Sequence, residues 1–219
     1  MAAFTSEQTV GIILSTGIVP VYFNADPDEA RKAVKACYDG GIRAFEFTNR
    51  GPEALAVFKT VIDYVRENCP GMAFGAGTIL SAEAAEAFSD AGADFLVSPC
   101  MVSPALDVAC SRAIPYCPGC GTVTEIFNAV QAGCPIVKVF PAGSVGGPAF
   151  VRDVLAPLPG VHLLCTGAVE PSEDNVRAWA AAGAAALGMG SKLFPKGASL
   201  ERVSELCALS LKWFAESRK

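Results

Sequence analysis

Gly40-Gly41-Ile42-Arg43-Ala44-Phe45-Glu46-Phe47-Thr48-Asn49-Arg50 reads as one complete junction: a glycine pair, an apolar run and a polar exit. Glycine adopts the left-handed backbone that ends a helix and turns the chain back toward a sheet. The short apolar run behind it fits a buried strand. The same punctuation recurs at Ala91-Gly92, Ala132-Gly133 and Ala182-Gly183. Outward from these points, strands are expected at Ile18–Phe23, Ile42–Phe47, Ala73–Gly77, Phe95–Ser98, Ile114–Cys117, Ile136–Phe140, His162–Cys165 and Ala185–Gly188. Amphipathic Ala-rich stretches separate them: Asp28–Asp39, Pro52–Asn68, Ala82–Ala91, Pro104–Arg112, Thr124–Ala132, Ala149–Leu155 and Glu173–Ala182, with Leu200–Ser217 last. Asp26-Pro27 and Ser81 fit helix N-caps.

Strand and helix in strict alternation argue an α/β protein with a parallel sheet. Eight such units close into a (β/α)₈ TIM barrel, here with an extra N-terminal helix near Glu7–Thr16 and one domain spanning residues 1–219. An open doubly wound sheet that binds a dinucleotide would carry G-x-G-x-x-G after its first strand. This chain has Tyr22-Phe23-Asn24-Ala25 there, without glycine. The barrel is the expected fold.

Composition narrows the partners. With 52% hydrophobic and 18% charged residues the chain is not a disordered one. A net charge of −5 with scattered Lys and Arg offers no basic stripe, so neither nucleic acid nor membrane is expected as a partner. The opening MAAFTSEQTVGIILSTG lacks a basic n-region and a long apolar run, from which a cytoplasmic location is expected. The nine cysteines read as small buried hydrophobes. Cys117-Pro118-Gly119-Cys120 reads as a strand-end turn, because a zinc site needs more ligands than His162 can add. No metal and no cofactor are expected.

Barrel enzymes place their chemistry at the C-terminal ends of the strands. Lys138 is the most informative residue there, set within Pro135-Ile136-Val137-Lys138-Val139-Phe140. Alternation puts it on the same face as Ile136 and Phe140, inside the barrel. Burial disfavours the ammonium form, and a neutral amine attacks carbonyls. The plainer reading is a structural lysine paired with a barrel carboxylate. Glu46 is the natural counterpart, able to move protons or simply to pair with Lys138 or Arg50. Arg50 offers a planar fork for a keto acid's carboxylate. Gly75-Ala76-Gly77-Thr78 would let backbone approach a ligand, with the Thr78 hydroxyl as a contact. Pro99 follows the fourth expected strand and Phe140 ends the sixth. Thr166 and Gly167, then Gly188-Met189-Gly190-Ser191, occupy positions where barrels bind phosphate.

Together these segments resemble the 2-keto-3-deoxy-6-phosphogluconate (KDPG) and 4-hydroxy-2-oxoglutarate (KHG) aldolase family over nearly the whole chain. The likeness rests on Gly40–Arg50, Gly75–Thr78, Val97–Pro99, Pro118–Glu125, Lys138–Ala142 and Thr166–Ala168. The resemblance implies Lys138 as the Schiff-base lysine, Glu46 as general acid/base, and Arg50 with Thr78 on the pyruvyl carboxylate. It implies Pro99 and Phe140 as pocket walls, and Gly167, Gly190 and Ser191 on a phosphate. A cytoplasmic homotrimer acting on a small keto acid, without metal, is also implied. The sequence departs from the family pattern at Ala168, Cys100 and Met189, and Lys192 could add a cation beside the phosphate position. The expected reaction is KDPG cleavage to pyruvate and glyceraldehyde 3-phosphate. Alternatives are KHG or another 2-keto-3-deoxy sugar acid, phosphogalactonate or unphosphorylated, and a phosphate-binding barrel without aldolase activity.

Overall fold

A computed structural model describes residues 1–218, and its strands are all parallel. The order of elements is α1 (Ser6–Thr16), β1 (Ile18–Tyr22), α2 (Pro27–Asp39), β2 (Ala44–Thr48), α3 (Ala54–Asn68), β3 (Ala73–Gly77), α4 (Ala82–Asp90), β4 (Leu96–Val97), α5 (Ser103–Ser111), β5 (Tyr116–Cys117), β6 (Gly119–Cys120), α6 (Val123–Gln131), β7 (Val137–Val139), α7 (Gly147–Leu155), β8 (Leu163–Thr166), α8 (Glu173–Ala181), β9 (Ala186–Met189) and α9 (Leu200–Ser217). The sheet runs β5-β4-β3-β2-β1-β9-β8-β7-β6. Its two ends, β5 and β6, are halves of one barrel strand separated only by Pro118. The chain itself therefore closes the cylinder, giving the (β/α)₈ TIM barrel with its additional first helix.

Local chemistry explains the boundaries. Gly41, Gly92, Gly133 and Gly183 all take positive φ, between 85° and 97°, immediately after α2, α4, α6 and α8. Each supplies the left-handed turn that swings the chain into the next strand. Asp26 caps α2 by accepting from the N–H groups of Asp28 and Glu29, with Pro27 in the first turn, and Ser81 caps α4 through the Ala84 N–H. The expected strand at Ile114–Cys117 does not end in a turn. It continues through Pro118, whose missing N–H breaks the ladder, and resumes at Gly119 against β7. Cys117 packs with the barrel interior and Cys120 with the outer layer, so the two thiols face opposite ways. Seven cysteines are buried as expected, whereas Cys100 and Cys110 are exposed.

Two apolar clusters organise the molecule. An outer one lies between strands and helices and includes Val137, Val139 and the Phe45, Phe47, Phe58, Phe74 group. The inner one fills the base of the cylinder with Val19, Ala44, Ala73, Phe95, Ile136, Leu164 and Ala186, and Ile13 of α1 plugs it from below. Among the described residues no helix is long and apolar enough to cross a membrane. A buried carboxylate fastens the plug. Asp94, with no exposed surface, accepts from the N–H groups of Ala3 and Phe74 at 2.8 Å each and from two nitrogens of Arg66 at 2.9 Å. Asp94→Ala strands the Arg66 guanidinium and two backbone donors, so unfolding free energy should fall by about 3 kcal/mol. A urea titration measures this, and a loss below about 1 kcal/mol would contradict the role given to Asp94.

Candidate active site

Above the inner apolar layer, two strands send charged side chains into the cylinder. Glu46 lies mid-strand in β2, in register with Val21 of β1 and Gly75 of β3. Lys138 lies at the centre of β7, and its N–H donates to the Pro118 carbonyl at 2.9 Å, so the interrupted strand also fixes the lysine's backbone. Because Val137 and Val139 point to the outer layer, Lys138 must point inward. Its Nζ lies 3.4 Å and 3.5 Å from the two carboxylate oxygens of Glu46 and 5.4 Å from the centre of the Phe140 ring. Lys138 is 5% exposed and Glu46 not at all.

Gly77 makes the room for this pair. A Cβ there would fall 2.0 Å from Glu46 Oε1. Gly75 plays the same part for the Phe95 ring, at 2.5 Å. The expectation that these glycines admit a ligand is thus corrected: the space they leave is filled by the protein's own side chains. Gly188 likewise accommodates Thr166, whose Oγ1 would lie 2.1 Å from an added Cβ. Gly190 has nothing within 4 Å of a Cβ, so packing does not account for it.

A cavity of about 370 Å³ opens over Lys138 at the C-terminal ends of the strands. The structure brings all ten residues singled out in the sequence into its lining: Glu46, Arg50, Thr78, Pro99, Lys138 and Phe140, with Thr166, Gly167, Gly190 and Ser191 toward β8 and β9. Sequence reading missed Val21 and Glu170, which also line it. Glu170 sits three residues past Gly167, where distance from a strand end is the only signal available. A larger groove of about 840 Å³ lies on the helical shell between α2, α3 and α9. Four of its charges pair with one another, Arg31 with Asp28 and Lys35 with Asp39, and it holds no strand-end residue.

Three features mark the cavity as built for a polar ligand. Thr78 is a β-branched residue held at φ 61°, a strained conformation that persists where surroundings enforce it. The enforcement comes from the next residue: Ile79 N–H donates to Val97 O at 3.1 Å, and the Ser98 hydroxyl donates to Ile79 O at 2.5 Å. Thr166 Oγ1 is buried without a hydrogen-bond partner among the described residues. Arg50 has no carboxylate within ion-pair distance among the described residues. Cys117, close to Lys138 and Glu46, is no rival nucleophile at neutral pH, since burial, then Cys134 and Glu46, push its thiol well above the usual range.

Comparison with known proteins agrees with this geometry. The family described as KDPG and KHG aldolase matches residues 11–206. The 2-dehydro-3-deoxy-6-phosphogalactonate aldolase of Escherichia coli K12 is 31% identical over 201 residues, covering 91% of this chain and 95% of that protein. The KHG/KDPG aldolase of the same organism is 32% identical over 161 residues, 73% and 74% of the two chains. Among solved structures, the KDPG aldolase of Legionella pneumophila, with pyruvate captured as a covalent carbinolamine intermediate, superposes with a TM-score of 0.81. It is 25% identical, over 91% of this chain and 96% of that one.

Gly77→Ala tests the geometry without touching a charged group. The methyl displaces the Glu46 carboxylate from Lys138, and kcat/KM should fall by about a hundredfold while circular dichroism stays native. Unchanged kinetics would show that the position of Glu46 is not critical.

Proposed function

We propose that this chain, which belongs to the KDPG and KHG aldolase family, cleaves 2-keto-3-deoxy-6-phosphogluconate to pyruvate and glyceraldehyde 3-phosphate through a Schiff base on Lys138. Family membership makes it a lyase and sets aside the reading of a phosphate-binding barrel without aldolase activity. The observation that carries the proposal is an inward lysine, 3.4 Å from a buried carboxylate, under a cavity whose rim carries an arginine that is unpaired among the described residues.

The Lys138 amine adds to the C2 carbonyl, and loss of water from the carbinolamine leaves a protonated imine. Glu46 serves as the proton carrier for both changes. Acting through a water, it then takes the proton of the C4 hydroxyl as the C3–C4 bond breaks. The electron pair of that bond moves into the imine to form an enamine, and the aldehyde leaves. Protonation at C3 and hydrolysis return pyruvate and the free amine. Arg50 and Thr78 hold the pyruvyl carboxylate, with Pro99 and Phe140 as walls. Thr166, Gly167, Gly190 and Ser191 face the phosphorylated tail, and the orphaned Thr166 hydroxyl supports a polar ligand there. The reaction needs no cofactor or metal, because the imine is the electron sink. Likeness to the Escherichia coli phosphogalactonate enzyme supports the C4-epimeric 2-keto-3-deoxy-6-phosphogalactonate as a second substrate, and likeness to the KHG/KDPG enzyme supports KHG as a third. The working form is a cytoplasmic homotrimer, for which Val123 and Phe127, exposed one turn apart on α6, offer an apolar surface.

Pyruvate release from these three keto acids and from an unphosphorylated sugar acid ranks the substrates. The phosphorylated compounds should be cleaved best, and equal efficiency without phosphate would refute the tail assignment. Lys138→Met should remove turnover below detection. Glu46→Gln should lower kcat by about a hundredfold or more yet still form some imine. Full activity in either variant would remove that residue from the mechanism.

A further inference from the structure

At the mouth of the cavity, in the loops after β8 and β9, a carboxylate and a cation face each other with no role in the chemistry above. Lys192 Nζ lies 3.6 Å from Glu170 Oε1, and their side chains are 68% and 48% exposed. Both line the cavity, so five ionisable groups share it: Arg50, Lys138 and Lys192 against Glu46 and Glu170.

Both partners stand on braced backbone. The Glu170 N–H donates to Asn175 Oδ1 at 2.9 Å, the Asn175 amide donates to Ala168 O at 3.2 Å, and Ser172 N–H donates to Glu170 O at 2.9 Å. Lys192 sits in a single 3₁₀ turn (Ser191–Leu193), closed by the Leu193 N–H on Gly190 O at 2.9 Å and anchored by the fully buried Leu193. The backbone at both positions is hydrogen-bonded, whereas the two long side chains reach into solvent. An exposed ion pair at this separation is weak enough to be displaced by a competing anion. A phosphate entering beside Gly190 and Ser191 would meet Lys192 first as an attraction and Glu170 as a repulsion.

We propose that Glu170 is a specificity-determining residue that competes with the phosphate of a substrate's tail for the Lys192 ammonium. The pair thereby sets how strongly this barrel favours phosphorylated over uncharged tails. Without phosphate, Lys192 rests on Glu170; with phosphate, it moves to the dianion. Glu170 weakens the grip twice, by occupying Lys192 and by repelling the incoming charge. The inference rests on the aldolase reading for what occupies the cavity, but its anion chemistry is measurable without turnover.

Glycerol 3-phosphate, titrated calorimetrically into wild type, Glu170→Gln, Lys192→Met and the double variant, tests it. Glu170→Gln should bind about fivefold more tightly, and Lys192→Met about fivefold more weakly. In the Lys192→Met background the gain from Glu170→Gln should shrink to less than about twofold, since the occupied cation is gone. An unchanged or weaker affinity for Glu170→Gln would overturn the proposal. So would an equal gain with and without Lys192. Pyruvate release by the wild type, assayed in parallel, reports on the aldolase reading separately: the predicted shifts without any turnover would sink that reading and leave this one standing.

Discussion

Taking the Lys138 ammonium and the Glu46 carboxylate out of water costs several kcal/mol per ion, while their attraction at 3.4 Å returns about 5 kcal/mol at an effective dielectric near 20. The attraction does not exceed that cost, so the pair does not explain the stability of the barrel. Stability comes from the two apolar clusters and from the plug latched by Asp94. What the pair does is hold two groups of opposite proton affinity in contact, shielded from bulk water, beneath an opening of substrate size. Either charge left alone in that position would be strongly unfavourable. Everything around the pair serves to keep it in place: Pro118 fixes the backbone of Lys138, and Gly77 vacates the volume that the carboxylate fills.

Much of this was legible in the sequence. The bounds of β3 and of α9 follow from apolar runs and end signals alone, and the helix-ending glycines announce the return to the sheet. Lys138 was legible because a cation in the middle of a β-branched run has to face one side or the other, and alternation names the side. The remainder depends on contacts between distant segments. Whether Gly77 serves a ligand or Glu46 is decided by a side chain on another strand, and nothing in Gly75–Thr78 reveals it. The continuation of β5 through Pro118 into β6 is similarly invisible, since proline ordinarily argues that a strand has ended. Glu170 escaped notice for the opposite reason: a glutamate in a loop is usually solvated, and only the closed cylinder places it at the cavity.

The floor and the rim of the cavity differ in physical character. The floor is fixed by buried contacts, by an enforced Thr78 backbone and by packing at Gly77 and Gly188 that tolerates no added methyl. The rim beyond β8 and β9 carries Glu170 and Lys192, exposed and paired through flexible side chains. A fixed reacting centre beside an adjustable rim is what such an arrangement supports. The relatives differ in the keto acid they are named for.

The central claim is that the enclosed amine of Lys138, and no other, condenses with a keto acid. Borohydride reduction in the presence of pyruvate, followed by peptide mass mapping, tests it most directly. The account predicts one stable pyruvyl adduct, on the peptide containing Lys138. An adduct on a surface lysine such as Lys192 instead, or none while the enzyme still turns over, would contradict it.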